Sequence, residues 1–431
     1  MIWNPLVETM DRAALRKLQL ERLRQTIAHC YGSVPFYRKQ FEERGIKPED
    51  IRQLSDLRLL PFTVKNDLRD HYPYGMLAVP MRDIVRLHAS SGTTGKSIVA
   101  GYTAGDLDVW SECVARVAVA AGAREEDIAQ ISFGYSLFTG AFGLHYGLEK
   151  IGAAIIPISG GNTERQVTIM RDFGATVLVA TPSYAMYLAE VAEKMGVTGE
   201  LKLRLGLFGA EASTVEMRRE ISRRLNVTAT ENYGLTEIIG PGVSGECEAF
   251  TGQHINEDHF LPEIIDPNTG ETLPEGETGE LVITTLTKRG QPMLRYRTRD
   301  ITRLTYEKCP CGRTTARMAQ VTGRSDDMLI VRGVNVFPSQ IESVLLEVKG
   351  IGPHYEIEVT RENYLDRLTV LVEFIDAGLV DRWSELEALQ RRVHEKLRSV
   401  LSLDVNVKLV SPNTLKRFEG KAKRVTDLRD V

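Results

Sequence analysis

Glycines and small hydroxylated residues follow one another between two apolar segments in the first quarter of the chain. The stretch reads His88-Ala-Ser-Ser-Gly-Thr-Thr-Gly-Lys-Ser97. Such residues leave backbone N–H groups accessible, and these groups can bind a polyphosphate together with the hydroxyls. Its end, Gly95-Lys-Ser97, matches a P-loop, but Ser90 stands where the first P-loop glycine belongs. Because residues 98–103 predict a strand rather than a helix, we expect a hairpin with a phosphate-binding tip. An ordinary surface turn is the alternative.

Three cysteines and a histidine form a second group that could do chemistry. Cys309 and Cys311 are a closely spaced thiolate pair, and Cys247 and His254 precede them in the same region. Three thiolates and an imidazole are ligands of a closed tetrahedral zinc site, which is structural because no coordination position stays open. The spacing is not that of a standard zinc finger. Free cysteines and a hydrogen-bonded surface histidine are therefore the alternative interpretation.

The C-terminal segment is basic. Between residues 408 and 431, seven basic positions against three acidic ones give a local charge of +4. Gly420 precedes Lys421 and would let the backbone approach a ligand closely. This charge suits a polyphosphate, although a solvated basic tail is the ordinary interpretation of such a run.

The elements that must position these residues follow from the apolar patterning. Residues 10–31 predict a helix, and later apolar runs alternate with amphipathic helices that begin at capping boxes. These boxes are Thr163 with Gln166 and Ser213 with Glu216. Strand–helix alternation predicts an α/β fold with a mostly parallel sheet covered by helices on both faces. The buried strands are expected at 128–133, 153–158, 176–181 and 203–208.

The second half of the chain changes character twice. The stretch 240–322 is rich in Gly, Thr and Pro and predicts a β-rich subdomain with a strand at 280–286. Beyond it we expect a small, mobile α+β domain with a helix at 383–401 and strands at 355–360, 368–375 and 405–410. The predicted division is a large N-terminal domain, 1–325, whose segment 1–82 is helical, and a C-terminal lid domain, 326–431.

Composition excludes several classes of protein. Of the 431 residues, 42% are hydrophobic and 26% charged, which excludes wholesale disorder. A formal charge of −4 argues against nucleic acid or an anionic membrane as the main partner. No apolar run is long enough to span a bilayer, and the first residues lack an apolar signal core. Five cysteines do not indicate a disulfide framework, so we expect a cytoplasmic protein.

The hairpin tip, Ser90-Ser-Gly-Thr-Thr-Gly95, resembles the signature loop of the adenylate-forming superfamily, which includes acyl-CoA synthetases, peptide-synthetase adenylation domains and luciferases. Further superfamily motifs follow in order as Asn232-Tyr-Gly-Leu-Thr-Glu237, Tyr296-Arg-Thr-Arg-Asp300, Thr322-Gly-Arg-Ser-Asp-Asp327 and Glu419-Gly-Lys421. Ser97 departs from the pattern, since many relatives have proline there.

Within the superfamily, the chain is most similar to the phenylacetate–CoA ligases. The supporting stretches are Pro61-Phe-Thr-Val-Lys-Asn-Asp-Leu-Arg69, Phe133-Gly-Tyr-Ser-Leu-Phe-Thr-Gly140, Phe208-Gly-Ala-Glu211 and Arg332-Gly-Val-Asn-Val-Phe-Pro338. The resemblance implies ligation of an aromatic carboxylate to coenzyme A, with ATP consumed through an acyl-AMP intermediate. It also implies Mg²⁺ as a cofactor and a homodimer as the assembly.

The resemblance further implies roles for individual residues. Lys421 is the mobile cation, Glu237 coordinates Mg²⁺, Asp326 is the hinge, and Lys65 lies near the coenzyme A entrance. Tyr135, Phe138 and Gly140 line the acyl pocket. Within the nucleotide site, Tyr233 stacks on adenine and Asp300 accepts the ribose hydroxyls. The residues assigned to nucleotide binding are Ser90, Ser91, Gly92, Thr93, Thr94, Gly95, Lys96, Gly209, Ala210, Glu211, Asn232, Tyr233, Gly234, Thr236, Asp300 and Arg324.

Other functions remain open from the sequence. An adenylating enzyme could pass the acyl group, or AMP itself, to an acceptor other than coenzyme A, and the acid could be another aromatic one. A non-catalytic binding protein that kept the fold is disfavoured, because a sensor does not need Lys421, Asp300 and Glu237 together. A P-loop NTPase is disfavoured by Ser90.

Overall fold

The structure, a computed structural model, describes residues 1–90, 97–332, 334–362 and 365–429. The α-helices are α1 (Pro5–Glu8), α2 (Arg12–Ser33), α3 (Pro35–Glu43), α4 (Lys65–Asp70), α5 (Ala104–Ala120), α6 (Thr139–Lys150), α7 (Thr163–Asp172), α8 (Pro182–Lys194), α9 (Val215–Leu225), α10 (Pro338–Glu347) and α11 (Trp383–Leu401). The strands are β1 (Arg86–Ala89), β2 (Val99–Tyr102), β3 (Ile128–Ile131), β4 (Ala154–Ile156), β5 (Val177–Ala180), β6 (Leu205–Phe208), β7 (Thr228–Leu235), β8 (Gly240–Glu246), β9 (Gln253–Ile255), β10 (Phe260–Ile265), β11 (Gly279–Thr285), β12 (Tyr296–Thr302), β13 (Leu304–Thr305), β14 (Arg317–Met318), β15 (Gly323–Arg324), β16 (Leu329–Val331), β17 (Val334–Val336), β18 (Ile351–Glu362), β19 (Leu365–Phe374), β20 (Asn406–Val410) and β21 (Val425–Asp427).

The N-terminal segment packs its helices onto later strands. The Asp11 side chain accepts hydrogen bonds from two N–H groups in the first turn of α2, which fixes the start of that helix. Leu23 and Ile27 of α2 are fully buried in one apolar cluster with Leu286. The helix predicted at 10–31 is therefore confirmed, with its bounds moved by about two residues. No helix among the described residues is long and apolar enough to cross a membrane.

Nine strands form one large mixed sheet in the order β13-β14-β9-β8-β7-β6-β5-β3-β4. The five strands from β4 to β7 are parallel neighbours. Every residue of β5 and β6 is buried, as expected for strands covered by helices on both faces. The four strands predicted from apolar runs are all present, each shorter than predicted.

The β-rich stretch 240–322 contributes to two sheets. β8, β9, β14 and β13 extend the parallel strands by antiparallel pairing. β10, β11, β12 and β15 form a separate four-stranded antiparallel sheet. β11 confirms the strand predicted at 280–286. The predicted fold class, α/β with mostly parallel strands, a β-rich part and a small α+β domain, is confirmed.

The predicted capping box of α9 is wrong by one residue. Thr214, not Ser213, precedes the helix, and its hydroxyl accepts a hydrogen bond from the Met217 N–H at 3.1 Å. Glu216 does not reach back to the cap; its carboxylate accepts a hydrogen bond from Ser343 at 3.1 Å. Since both adjacent residues carry hydroxyls, only the backbone conformation decides which one caps the helix.

The predicted box at α7 is also corrected. Thr163 is the first residue of the helix, and Asn162, in the left-handed region with φ +49°, precedes it. The buried Gln166 side chain donates hydrogen bonds to the carbonyls of Ser159 and Gly161, each at 2.9 Å. Gln166 therefore fixes the loop that leads into α7 instead of capping the helix.

The C-terminal part of the chain has its own sheet and core. Its four strands are ordered β20-β19-β18-β21, and α10 and α11 pack against them. Leu389, Val393, Leu397 and Leu401 lie at helical spacing on the buried face of α11, whose bounds are those predicted. β18, β19 and β20 match the three strands predicted in this part. We refer to the described residues from 326 onward as the lid.

Candidate active site

The parallel strands open a crevice at one edge of the large sheet. β3 lies between β4 and β5, so the connections that leave β3 and β5 run to opposite sides of the sheet. Ligands of open α/β sheets bind at such switch points, beyond the carboxyl ends of the strands. Tyr135 follows β3, Thr181 follows β5 and Glu211 follows β6. Tyr135 and Glu211, two predicted site residues that are far apart in sequence, therefore lie at one sheet edge together with Thr181.

The expected hairpin is present. β1 pairs with β2 in antiparallel register, with Ala89 opposite Val99. Ser90 extends the pairing, because its N–H donates to the Ile98 carbonyl at 2.9 Å and its hydroxyl accepts from the Ile98 N–H at 3.1 Å. The geometry agrees with a strand, not a P-loop helix, after the loop. The tip residues lie outside the described residues; they are Ser91, Gly92, Thr93, Thr94, Gly95 and Lys96.

A buried carboxylate lies where β12 pairs with β15. Asp300 stands opposite Arg324 in this register, and its carboxylate is 4.0 Å from the Arg324 guanidinium. The Tyr233 hydroxyl donates to Asp300 at 2.5 Å. Burial raises the pKa of Asp300 to about 6, although Arg324 and Tyr233 both oppose the rise. Asp300 is thus ionised near neutral pH and able to accept hydrogen bonds from hydroxyl groups.

Arg324 connects the ribose side of the site to the start of the lid. Its guanidinium donates to both carboxylate oxygens of Asp326, at 2.8 and 2.9 Å. Asp327 lies 3.5 Å from the same group. Burial works against ionisation of Asp326, but the Arg324 pair lowers the pKa of Asp326 below its usual range. The predicted hinge residue is therefore an ionised partner of a predicted nucleotide-binding residue.

Glu237 lies on a turn directly after β7 and is buried. The Lys65 ammonium is 3.7 Å from its carboxylate. Lys288, which is fully buried, donates to the Glu237 backbone carbonyl at 3.3 Å and lies 4.8 Å from the centre of the Tyr102 ring. Burial lowers the pKa of Lys288 to about 8. The Lys65 ammonium is thus one cationic partner of Glu237, and carboxylate oxygens are the ligands that a hard cation such as Mg²⁺ prefers.

The Gly209–Glu211 turn needs its glycine. A Cβ on Gly209 would lie 2.5 Å from the Asn232 backbone oxygen, a distance that excludes any side chain. Ala210 has φ +70°, in the left-handed region, and is exposed. The Asn232 side chain donates to the Phe208 carbonyl at 2.8 Å and so holds β6 against β7. The turn therefore presents its backbone to the crevice.

Two further predicted nucleotide residues complete this wall. Gly234, on β7, admits no side chain, because a Cβ there would lie 1.8 Å from the Gly240 carbonyl oxygen. The Thr236 hydroxyl lies 3.3 Å from the hydroxyl of Thr139 at the start of α6. These contacts join the Glu237 turn to the acyl side of the crevice.

The predicted acyl pocket has an aromatic wall. The Tyr135 hydroxyl contacts His145 Nδ1 at 2.9 Å, and the Tyr135 ring meets Phe142 edge to face at 5.3 Å. Phe138 is half exposed, in contrast to a core residue. A Cβ on Gly140 would be in ordinary contact, at 3.7 Å, with the Phe133 ring. His145 and Phe142 were not predicted from the sequence; their spacing from Tyr135 becomes meaningful only once α6 is known to face β3.

The lid carries Lys421 to the same sheet edge. The Thr181 hydroxyl donates to the Gly420 carbonyl at 3.1 Å, and the Ala422 N–H donates to the Glu211 carboxylate at 2.8 Å. Lys421 lies between these two contacts and is exposed. It forms no hydrogen bond or ion pair with any residue that the structure describes. The backbone on each side of the ammonium is therefore held while the ammonium itself stays available.

Three of the residues that seat the lid were missed by sequence reasoning. Thr181 caps α8, Ser183 donates its N–H to Glu211 at 2.7 Å, and Thr163 donates its hydroxyl to Glu419 at 3.3 Å. A hydroxyl residue directly after a buried strand is the signal that could have found Thr181. Buried Lys288 carried no such signal.

The predicted metal ligands meet in space. One atom each of Cys247, His254, Cys309 and Cys311 can be chosen so that all four lie within 4.8 Å of one another. Cys247 Sγ is 3.6 Å from Cys309 Sγ, and Cys311 Sγ is 3.4 Å from His254 Nε2. All three cysteines are free thiols, and the sulfur separation is far longer than a disulfide bond.

These separations fit tetrahedral zinc. Two sulfurs on one tetrahedral zinc lie about 3.8 Å apart, and a sulfur and an imidazole nitrogen about 3.5 Å apart, given the usual bond lengths. The other ring nitrogen of His254 contacts the Thr315 hydroxyl at 3.1 Å, which orients the imidazole toward the cluster. The alternative of a surface histidine is excluded, because His254 is buried.

Comparison with known proteins identifies the family. The model of the AMP-binding enzyme family matches residues 14–287, and that of the AMP-binding enzyme C-terminal domain matches residues 333–429. Phenylacetate-coenzyme A ligase of Thermus thermophilus is 50% identical over 444 residues, covering 100% of both chains. The Escherichia coli enzyme of the same name is 47% identical and covers 100% of this chain and 99% of its own. The chain belongs to the phenylacetate–CoA ligase family. It is an AMP-forming acid–thiol ligase that acts through an acyl adenylate, as the motifs implied.

Solved structures of one relative differ in their similarity to this chain. 2-Hydroxyisobutyryl-CoA ligase in the postadenylation state, in complex with 2-HIB-AMP, has a TM-score of 0.94 at 30% identity and covers 99% of this chain and 92% of its own. The same ligase with 2-HIB-AMP and CoA in the thioesterification state has a TM-score of 0.74, over 100% and 93% of the two chains. The arrangement of the lid in this ligase is therefore similar to the postadenylation one.

Proposed function

We propose that this ligase activates an arylacetate, phenylacetate in the first place, and transfers it to coenzyme A. A carboxylate oxygen of the acid attacks the α-phosphorus of ATP, which gives acyl-AMP and releases pyrophosphate. The thiolate of coenzyme A then attacks the acyl carbon, and AMP leaves. The observation that carries the proposal is the seating of the lid on Thr181 and Glu211, because it holds Lys421 at the sheet edge where Tyr135 also lies.

For adenylation, Lys421 supplies a positive charge to the phosphoryl group in transfer. Charge that develops in the transition state is stabilised most by donors that are already positioned. The contacts of Gly420 and Ala422 restrict the backbone on either side of the ammonium, which reduces the cost of positioning it. The hairpin that begins at Ser90 provides N–H and hydroxyl donors to the phosphates in this proposal.

The nucleoside lies along β7 and β12 in this proposal. Asp300 accepts a hydrogen bond from each ribose hydroxyl. An ionised carboxylate has two oxygens and forms strong hydrogen bonds of this kind. Tyr233, fixed by its hydrogen bond to Asp300, offers its ring face to adenine. Arg324 contacts the nucleotide from β15. The turn at Gly209 and Ala210, of which Ala210 is exposed, supplies backbone contacts to the adenine edge.

Glu237 would hold a magnesium ion. Its carboxylate lies on the turn after β7 with a cationic group, Lys65, on one side. Magnesium, when bound, neutralises charge on the phosphates and prefers oxygen ligands. Lys288 donates a hydrogen bond to the backbone carbonyl of Glu237 and so fixes the backbone there. The role of Lys65 at the coenzyme A entrance stays a prediction, and its contact with Glu237 favours the phosphate side.

Tyr135 and Phe138 form the acyl pocket, with Gly140 leaving room for a ring. An aromatic acid gains edge and face contacts from such walls. The Tyr135 hydroxyl is engaged by His145, so its ring is held in one orientation. The 47–50% identity to phenylacetate-coenzyme A ligases over nearly full length favours phenylacetate over other aromatic acids.

We propose a division into an N-terminal domain, 1–325, and a lid domain, 326–431, with Asp326 as the hinge. One rigid arrangement cannot present Lys421 first and a thiol path second, so the lid has to rotate between half-reactions. Asp326→Pro fixes φ at this position. We expect it to slow thioester formation far more than adenylation; an equal loss of both rates would count against the hinge.

The cysteine and histidine cluster would hold one structural zinc ion. The Cys247–Cys309 and Cys311–His254 separations suit a tetrahedral site, and four ligands leave no position for substrate. Elemental analysis of the purified protein is expected to give about one zinc per chain. Purified wild-type protein that contains no zinc would contradict the proposal. A cytoplasmic location suits three cysteines that form no disulfide. A homodimer stays a prediction from the family resemblance.

The decisive experiment is a panel of carboxylic acids scored by AMP formation with and without coenzyme A. We expect phenylacetate to give the highest kcat/KM and AMP release to require coenzyme A. Turnover that does not depend on coenzyme A would support transfer to another acceptor. A preference for another aromatic acid would keep the reaction and change only the pocket assignment.

A further inference from the structure

One carboxylate of the N-terminal domain binds two basic groups of the lid. Glu190, on α8, lies 2.5 Å from His354 Nε2 through one oxygen and accepts from Arg417 Nε at 3.1 Å through the other. The three side chains are only 10 to 14% exposed. Because solvent screens such mostly buried groups weakly, removal of the Glu190 charge costs more than the loss of one partner in a surface ion pair.

Within the lid, the Arg417 side chain is also held by a second carboxylate. Arg417 also donates to both oxygens of Glu373 on β19, at 2.9 and 2.8 Å. Glu373 in turn accepts the Leu415 N–H at 2.7 Å. The guanidinium is therefore fixed by the lid itself, and little side-chain entropy is lost when it meets Glu190.

Glu190 acts at a distance from the reacting atoms. Its helix begins after Thr181, which binds the Gly420 carbonyl of the lid. Glu190 lies nine positions after Thr181, which is about 13 Å along a helix. The same helix also contacts the lid through Ser183, which accepts from Arg424 at 3.3 Å, and through Lys194, which donates to Asn413 at 3.2 Å. Of these contacts, the one at Thr181 adjoins Lys421.

We propose that Glu190, through His354 and Arg417, is a latch that holds the lid in the arrangement used for adenylation. Glu190 is therefore a positioning residue for the first half-reaction, and the inference rests on the two half-reactions proposed above. A contact shifts an equilibrium between two arrangements only if it differs between them. The difference in TM-score between the two states of 2-hydroxyisobutyryl-CoA ligase indicates that lid arrangements of this kind differ widely.

The test separates the half-reactions in Glu190→Gln. ATP–pyrophosphate exchange reports adenylation, and acyl-CoA formation from supplied phenylacetyl-adenylate reports the second step. We expect exchange to fall about tenfold, the effect of a tenfold shift in the lid equilibrium. Acyl-CoA formation from the adenylate should stay equal or rise. An equal loss in both steps, or no loss in either, would overturn the latch.

Glu193→Gln is the matched control. Glu193 lies one turn further along α8 and pairs with Arg224, which also belongs to the N-terminal domain. Both half-reactions should keep their rates in this variant. If Glu190→Gln fails to fold, His354→Gln, which weakens one of the two contacts, is measured in the same way.

Hydrogen exchange keeps the latch testable apart from activity. Loss of the latch should speed amide exchange in residues 415–422 in Glu190→Gln but not in Glu193→Gln. An unchanged rate of amide hydrogen exchange in Glu190→Gln would overturn the latch even if adenylation were slow. Wild-type protein that forms no acyl-CoA from any acid would instead contradict the proposed function, and the exchange experiment would still decide the latch.

Discussion

The cysteine and histidine cluster and the strand-end site are both assembled from residues far apart in sequence, but they hold their functional atoms differently. In the cluster, Cys247, His254 and Cys309 are buried, and all four ligand atoms lie within 4.8 Å. At the strand ends, Lys421 is exposed, and only the backbone beside it is held. One group is closed within a single domain, whereas the other is completed by the lid.

The difference follows from what each region has to do. A structural metal site gains stability when its ligands are fixed before the ion binds and no position is open to substrate. In the proposed mechanism the Lys421 cation serves one half-reaction and leaves before the next, which requires contacts that can break. Enclosure therefore distinguishes a stabilising site from a reacting one in this ligase.

The largest expected effect is a loss of adenylation at the strand-end site, which is open, and not at the closed cysteine and histidine cluster. Lys421→Ala should lower adenylation by about 10²–10³, because a positioned cation is lost from the transition state. Acyl-CoA formation from supplied phenylacetyl-adenylate should stay near the wild-type rate. Pyrophosphate release and acyl-CoA formation, measured separately, check the prediction.

Lys423→Ala is the control for charge alone. Lys423 is a second exposed lysine of the same segment and should be dispensable. If Lys421→Ala and Lys423→Ala both adenylate at the wild-type rate, the strand-end site does not depend on a cation from the lid. The contrast drawn above with the closed cluster would then be wrong.

The next effect concerns the closed cluster. Cys309→Ser should lose zinc and lower the free energy of unfolding by about 2.7 kcal/mol where free zinc is 100 times its dissociation constant. Adenylation by the protein that remains folded should be unchanged. Zinc content and thermal unfolding with and without added zinc measure the effect.

Cys30→Ala is its control, since Cys30 is a buried free cysteine outside the cluster. Zinc content should stay at the wild-type value in this variant. A Cys309→Ser protein that loses adenylation while it keeps its stability would show that the cluster is not merely structural.

The third effect tests the buried part of the open site. Asp300→Asn should weaken adenosine binding by about 1.5–3 kcal/mol, the usual value for hydrogen bonds to a charged group. Because the pKa of Asp300 is raised to about 6, the carboxylate is ionised above that pH and protonated below it. Wild-type affinity should therefore be constant above about pH 7 and fall as the pH drops through 6.

Adenosine is used because it lacks the phosphate that titrates in the same range. Calorimetric titration across this range should show a pH-independent affinity for Asp300→Asn. A wild-type affinity that does not change with pH would contradict the assignment of the ribose hydroxyls to Asp300.

The smallest effect concerns the acyl pocket. Gly140→Ala places a methyl group in ordinary contact with the Phe133 ring, so the fold should tolerate it. The narrower pocket should shift the kcat/KM ratio of phenylacetate to a smaller acid by about 1 kcal/mol. Gly105→Ala, at the start of α5, is the control and should leave the ratio unchanged. An unchanged ratio in Gly140→Ala would remove this residue from the pocket.

Local patterns were predicted well from the sequence. Strands β5 and β6 and the helix α11 follow from apolar runs and helical spacing, which act over a few residues. The cap of α9 was predicted one residue too early, because Ser213 and Thr214 are chemically equivalent in the pattern. The antiparallel extension by β8 and β9 was not predicted, since strand pairing depends on contacts between distant segments.

The sequence by itself determined the reaction, because the motifs from Ser90 to Lys421 are short contiguous groups whose chemistry can be recognised without coordinates. It also indicated the four residues that we propose as zinc ligands. Only the tertiary structure decided that these ligands meet, that Thr181 and Glu211 seat the lid, and that Glu190 binds it. Glu190 contacts partners 164 and 227 positions away. Such pairs are chosen by the packing of two domains, and no local pattern in the chain records that packing.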